Sequence, residues 1–466
     1  MTPPTRVPPT RIQPARQVAF DVIAAVRTDD AYANLLLPTR IRRAALSSAD
    51  AGLATELTYG TLRMRGYYDR VIEIAARRGV DEIDPPVLDV LRLGAHQLLG
   101  MRVAPHAAVN ESVALARCVA SRSATGFCNG VLREIGRHSR EEWRMRVAAA
   151  ARGADDERAA LFSHPAWIVR AFRQALDAEG RAGELDDLLT ADNEAPAVNL
   201  VALPGLAERP RDAAGNRFSP VGFTLGGGDP LTPVRASGGT LRVQDEGSQL
   251  AALALTRARP VVAGERWLDM CAGPGGKAAL LAAEARLGGA TLVANELVPA
   301  RADLVRRALE AVPADVPVWQ NDATTIGAQM PEAFDRILLD APCTGLGALR
   351  RRPEARWRKT PRDVAELTTL QSALIDSAAA ALKPGGVLAY VTCSPHVGET
   401  RLIVDAAIER AAGSLVPLPT RHLIEALCVE RPELAGRDDQ VQLWPHRHGT
   451  DAMFIALITK PASDAR

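Results

Sequence analysis

Two cysteines, Cys343 and Cys393, each follow the end of an apolar run. The run Ile337, Leu338, Leu339 leads into Asp340-Ala341-Pro342-Cys343-Thr344-Gly345, and Val387–Thr392 leads into Cys393-Ser394-Pro395. Short apolar runs stopped by proline read as buried strands of a parallel sheet. In open α/β sheets, ligands bind outside the carboxyl ends of such strands. Asp340 and both thiols are thereby expected at one crevice, because the fourth and fifth strands of the usual doubly wound order are neighbours. A disulfide is the structural alternative, disfavoured in a reducing cytoplasm, and a metal pair lacks further ligands. A thiol beside a carboxylate, followed by Arg350, Arg351 and Arg352, suits a nucleophile acting on a polyanion.

A second constellation is Asp269-Met270-Cys271-Ala272-Gly273-Pro274-Gly275-Gly276-Lys277, a strand end running into a glycine turn and a helix. Glycines let backbone lie against a ligand and aim helix amides at it. Position 271 is Cys and position 278 is Ala, so a phosphate-binding P-loop fails twice. The spacing of Gly273, Gly275 and Gly276 is wrong for a dinucleotide fingerprint. The remaining nucleotide reading is S-adenosylmethionine, whose zwitterionic tail backbone groups can hold. Glu296 ends the next strand and can accept from ribose hydroxyls, as acids do in dinucleotide folds. Asp322 ends the strand after that and can reach an adenine amine, and Asp340 ends the fourth.

A thiol pair beside a methyl donor is accounted for by methylation at pyrimidine C5. That carbon is a poor nucleophile until a thiolate adds to C6 and makes the ring an enamine. The thiol's reference pKa is about 8.5, so its surroundings must favour the thiolate. An acid near N3 would assist, and Asp340 is placed for it. Strand order alone does not tell the two thiols apart.

The elements that must position these groups can be read along the 466 residues. Residues 1–14 carry five prolines and are expected to be a mobile leader. Residues 15–146 show helical periodicity, with Val18, Val22, Ile23 and Val26 on one face and Asp84-Pro85-Pro86 and Pro105 as helix starts. Residues 147–240 read as a helical linker and a small α+β subdomain, with apolar runs at 198–203 and 221–225. From 241 to 462, strands alternate with helices, which implies a doubly wound, mainly parallel Rossmann-like sheet. Strands are expected at 266–270, 291–296, 316–322, 336–340 and 387–392. A closing pair, 440–443 and 454–459, would add edge strands.

Composition sets the broad class. Hydrophobic residues make up 47% and charged residues 24%, as in a globular protein. Residues 1–140 hold 19 arginines against 13 acidic residues, a basic excess that fits nucleic-acid contact. The six cysteines form no C-x-x-C pair, so no zinc site and no disulfide scaffold is expected. No signal-peptide pattern and no membrane-length apolar run is present. The expectation is a cytoplasmic, monomeric protein without metal.

The motifs also carry a family resemblance. Asp269–Lys277, Asp340–Gly345 and Thr392–Ser394 resemble the glycine turn and both cysteine motifs of the Nol1/Nop2/Sun RNA cytosine-5 methyltransferases. Gln244–Gln249, Arg350-Arg351 with Pro353 and Trp357, and Asp451–Lys460 extend the match. Ala54–Arg63 and Gly126–Arg133 resemble the helical RNA-binding fold of antitermination factor B (NusB-like). Together they point to the bacterial branch of the family acting on small-subunit ribosomal RNA. The resemblance implies Cys393 as nucleophile, Cys343 as helper of release, and a methyl donor held by Cys271, Ala272, Gly273, Pro274, Gly275, Gly276, Lys277, Glu296, Asp322 and Asp340. Gly273 departs from a usual Ala, Ala278 from a usual Thr and Thr400 from a usual Asn. RNA is the expected partner, gripped by Arg350, Arg351 and Arg352 with Trp357 packing or stacking. Transfer RNA is the alternative substrate, and a non-catalytic RNA-binding assembly protein the alternative class.

Overall fold

A computed structural model describes residues 12–462; the expected leader therefore lies outside the described residues except for 12–14, and its last residue, Pro14, opens the first helix instead. These residues pack as two units. The first runs to Arg170 and takes back Leu349–Arg358; the second holds Ala171–Ala348 and the chain from Lys359 onward.

The first unit is helical, with no strand among its described residues. Pro14, Pro85 and Pro105 sit in the first turn of their helices, where the missing N–H has no partner to lose. Ser47 and Ser121 cap two others, and Ser139 forms a capping box with Glu142. Pro85–Leu99 is the central helix, buried almost all round, and Val18, Val22, Ile23 and Val26 pack in the same core. Its buried charges are paired. Arg92 donates two bonds to Asp69, at 2.7 and 2.8 Å, and Arg27 bonds Asp89 at 2.8 Å. Such pairing is what keeps a charge tolerable inside a core.

The Leu349–Arg358 segment is fastened to this unit by its own arginines. Arg356, with no exposed surface, donates to the carbonyls of Arg63 and Ser163. Arg358 donates to those of Val26 and Ala31. Glu354 accepts from the Ala33 amide at 3.2 Å, and the Arg65 guanidinium lies 5.5 Å over the Trp357 ring.

In the second unit, a small antiparallel sheet comes first: β1 (Val198–Ala202), β2 (Ala214–Gly215), β3 (Gly222–Leu225) and β4 (Leu241–Val243), in the order β2-β3-β1-β4. The main sheet comes next with β5 (Arg266–Asp269), β6 (Thr291–Asn295), β7 (Val318–Trp319), β8 (Phe334–Asp340), β9 (Leu382–Thr392), β10 (Val416–Pro417), β11 (Gln440–Gln442) and β12 (Phe454–Thr459). Its order is β10-β12-β9-β8-β5-β6-β7, with β11 also on β12. Strands β5 to β9 are parallel, and the order reverses between β5 and β8, the switch point at which α/β sheets bind ligands. The chain is thus a helical domain followed by a doubly wound, mainly parallel α/β domain.

Two strand expectations need correction. β7 is two residues long rather than spanning 316–322; Pro313 and Pro317 offer no N–H to a ladder, which suits only a short edge strand. β12 is no edge. It lies antiparallel to β9 and carries β10 and β11 on its other side, and all but its last residue are buried. No helix among the described residues is long and apolar enough to cross a membrane.

Candidate active site

β5 delivers Asp269 to the switch point, and the chain then turns through Cys271–Gly275 into the helix Gly276–Gly288. Gly275 has φ +103°, and a Cβ there would lie 2.5 Å from the Ala308 Cβ and 3.0 Å from the Val305 Cα. Only glycine lets the turn pass under the helix Pro299–Leu309. Asn295, fully buried at the end of β6, joins three strand ends. Its amide donates to the carbonyls of Met270 and Asn321, and its oxygen accepts from the Asn321 amide.

The expected donor residues divide into two kinds. Glu296 is buried one residue past β6. It accepts from the Gly273 amide at 3.1 Å and the Val298 amide at 3.0 Å. Arg301 faces it and donates to the Gly273 carbonyl at 2.8 Å. Glu296 therefore holds the glycine turn itself, and the missing side chain at Gly273 is what admits it, since a Cβ there would fall 2.1 Å from its Oε2. Asp322 is exposed. It lies three residues beyond the shortened β7, not at its end, and accepts from the Thr324 hydroxyl and amide, which lower its pKa.

Asp269 is the outlier. It has no exposed surface, and neither oxygen meets a well-formed hydrogen bond among the described residues. Burial, and then the Asp340 charge, push its carboxyl up to about 8; Lys277 and the Cys271 backbone offset this only in part. A buried acid so weakly satisfied fits a ligand that brings a positive group, and the sulfonium and ammonium of S-adenosylmethionine are of that kind.

β8 and β9 are hydrogen-bonded neighbours, with Asp340 opposite Val391. The loops beyond them bring the Cys343 and Cys393 sulfurs to 3.5 Å. Asp340 accepts from Lys277 Nζ at 2.8 Å. The two thiols differ in their surroundings. The hydrogen bond from Cys343, and the Lys277 charge, lower the pKa of Cys393 against the opposing effects of burial and Asp340. Cys343 is raised, first by its bond to Cys393, then by burial, with Glu399 and Asp340 adding to it. These directions make Cys343 the favoured proton donor of the pair and Cys393 the more readily ionised sulfur. His396 Nδ1 accepts from the Gly398 amide at 3.1 Å.

Glu399 was not singled out by the motif reading. It is fully buried and accepts from the Thr344 amide and hydroxyl and from the Ser394 hydroxyl. Its spacing from Cys393 is visible in sequence, but nothing there says which loop it reaches.

The basic run 350–358 belongs to the helical unit. Arg350 is 6% exposed, and Trp357 is packed against Gly66 and Arg65 in the helical unit. Arg351 is half-buried and Arg352 exposed.

Comparison with known proteins agrees with this geometry. The profile of the 16S rRNA methyltransferase RsmB/F family matches residues 259–459 and that of the NusB family residues 13–137. A Mycobacterium tuberculosis protein named "Putative methyltransferase" is 47% identical over 96% of both chains. The ribosomal RNA small subunit methyltransferase B of Pseudomonas putida is 30% identical over 96% of this chain and 99% of its own. Among solved structures, PH0851 superposes with a TM-score of 0.77 at 20% identity, over 97% of this chain and 99% of its own; this likeness concerns the fold. With a glycine turn, a thiol pair at the switch point and relatives matched end to end, the chain belongs to the RsmB/F family of methyltransferases, with a NusB-type helical domain ahead of the catalytic one.

Proposed function

We propose that the protein methylates C5 of a cytosine in small-subunit ribosomal RNA through a covalent intermediate on Cys393. The observation that carries this reading is the thiol pair, 3.5 Å apart, in which Lys277 acts on Cys393 alone and the Asp340 charge acts on both sulfurs.

The Cys393 thiolate forms a bond to C6, and the displaced ring electrons collect toward N3, where Lys277, oriented by its bond to Asp340, supplies a proton. C5 is then the nucleophilic carbon of an enamine. Asp269, the 271–277 turn, Glu296 and Asp322 would hold S-adenosylmethionine, which when bound would supply an electrophilic methyl group on a sulfonium. After transfer, the C5 proton is lost and its electron pair forms the C5–C6 double bond, the C6–sulfur bond breaks with its pair on Cys393, and the N3 proton returns to Lys277. Cys343, which holds a proton beside Cys393, can give it to the leaving sulfur and take up the one from C5. On the RNA side, Arg352 is the exposed member of the basic run for phosphate contact.

The RNA target is supported by the names of the relatives, and bisulfite sequencing of RNA from a deletion strain separates ribosomal from transfer RNA. The thiol roles are tested by single substitutions. Cys393→Ala should abolish methylation and any covalent RNA adduct. Cys343→Ala should accumulate a donor-dependent adduct that survives denaturing electrophoresis, because only the second half of the reaction is slowed. Adducts in Cys393→Ala and none in Cys343→Ala would reverse the roles.

A further inference from the structure

We propose that Glu399 is the positioning residue of the thiol pair: one buried carboxylate ties the Cys343 loop to the Cys393 loop and so sets the distance between the sulfurs. This rests on the two-thiol reading of the reaction.

The residue after each cysteine is what Glu399 holds. Thr344 follows Cys343 and gives it both an amide bond, 2.7 Å to Oε1, and a hydroxyl bond, 2.5 Å to Oε2. Ser394 follows Cys393 and gives it a hydroxyl bond, 2.6 Å to the same Oε2. The two hydroxyls lie 3.2 Å from each other. Glu399 is itself anchored, because its carbonyl accepts from the Tyr390 hydroxyl on β9 at 2.8 Å. Gln371, on the helix Pro361–Ala381, bonds the Pro342 carbonyl at 2.8 Å and Glu399 Oε1 at 3.4 Å. Among the described residues no hydrogen bond joins Glu399 to either sulfur, so it acts through the loops.

The chemistry favours an acid here. Three strong donors converge on it, and an ionised carboxylate accepts from all of them. A glutamine keeps the volume but turns one end into a donor facing two hydroxyls. Ser394 Oγ already accepts from the His396 amide at 3.3 Å, so it has little capacity to accept another. An aspartate is one methylene too short to reach both loops.

The test uses the full-length Glu399→Gln and Glu399→Asp variants. Readouts are S-adenosylmethionine binding by calorimetry, kcat and KM on the RNA, and the pH dependence of Cys393 alkylation by iodoacetamide, followed by peptide mass spectrometry. Cys393 is faced by Cys343 and Asp340 from the β8 loop, Lys277 from the helix after the glycine turn, and Asp451 ahead of β12. Of these, only the Cys343 contact is expected to change. Donor affinity and KM should stay within about threefold, while kcat falls about 100-fold, as misplacement of reacting groups by an ångström does. The alkylation midpoint should rise by about half a pH unit or more as the sulfur–sulfur bond is lost. A midpoint equal to that of the parent protein overturns the proposal, even if activity falls. Alkylation needs neither RNA nor turnover. A shifted midpoint in a protein that does not methylate cytosine therefore leaves Glu399 in place and removes only the reaction reading. If both variants misfold, Thr344→Val, which deletes one arm, should still shift the midpoint; an unshifted one again overturns the assignment.

Discussion

Replacing Asp269 with asparagine should make the protein more stable and a poorer binder of its methyl donor. The carboxyl has an ordinary value of 3.8 and is pushed up to about 8 in the fold. Because the folded value is the higher one, its contribution is favourable below pH 3.8 and is lost progressively as pH rises to about 8. At about 1.4 kcal/mol per pH unit, keeping the buried group neutral at pH 7 costs the fold about 4 kcal/mol. Asparagine keeps the shape and has no proton to gain. Melting curves of both proteins from pH 4 to 8.5 should therefore coincide at the acid end and diverge toward pH 8, the variant higher by about 2–4 °C per kcal/mol for a unit of this size. Adding S-adenosylmethionine should reverse the advantage, because the ligand's cationic group then meets the carboxylate in the parent protein alone. Parallel melting curves across the whole range would refute the argument, since they require Asp269 to ionise normally in the fold.

Glu296→Ala should weaken S-adenosylmethionine binding at least tenfold by calorimetry, since a charged-partner bond is worth about 1.5–3 kcal/mol; Asp322→Ala should do the same without loosening the glycine turn. Unaltered binding in both would mean the donor lies elsewhere. Arg336→Met tests the sheet beneath the site. This fully buried arginine bonds Glu265 at 2.8 Å and the carbonyls of Leu255, Thr256, Arg259 and Pro260. Burial raises the Glu265 pKa, but the Arg336 bond with its other partners outweighs this and holds it at about 2. Removing the arginine leaves a buried acid and several carbonyls short of donors, an expected loss of about 3–5 kcal/mol, read as a lower urea midpoint; a loss under 1 kcal/mol would contradict it.

The range of each interaction decides how much of this was legible in the sequence. β5, β8 and β9 could be read because a strand buried on both faces is a continuous apolar run, and the site is built from the residues directly after each run. Helix starts at Pro85 and Pro105 were legible because capping is local. The central placement of β12 was not, because its outer side is covered by two short strands, β11 and the two-residue β10, too short for periodicity to show which neighbour they pair with. The arginines of the 350–358 stretch looked like a solvent-facing basic run, since charge in sequence does not reveal that its partners are carbonyls at Val26, Ala31, Arg63 and Ser163. Asn295 and Glu399 escaped for the same reason: each is one polar letter whose value lies in loops far away along the chain.

The return of Leu349–Arg358 to the helical unit also bears on synthesis. A ribosome releases the helices up to Leu161 long before it releases Arg356 and Arg358. Throughout that interval four main-chain oxygens of the helical unit wait for donors that have not been translated. The helical unit is thus completed only after β5 to β8 have emerged, and the two units cannot mature strictly one after the other, as consecutive domains do. A gene fragment ending at Arg170 would encode this unit's helices through Ala154–Leu161 and still lack its last buckle, so excising or transplanting it requires carrying the ten-residue strap as well.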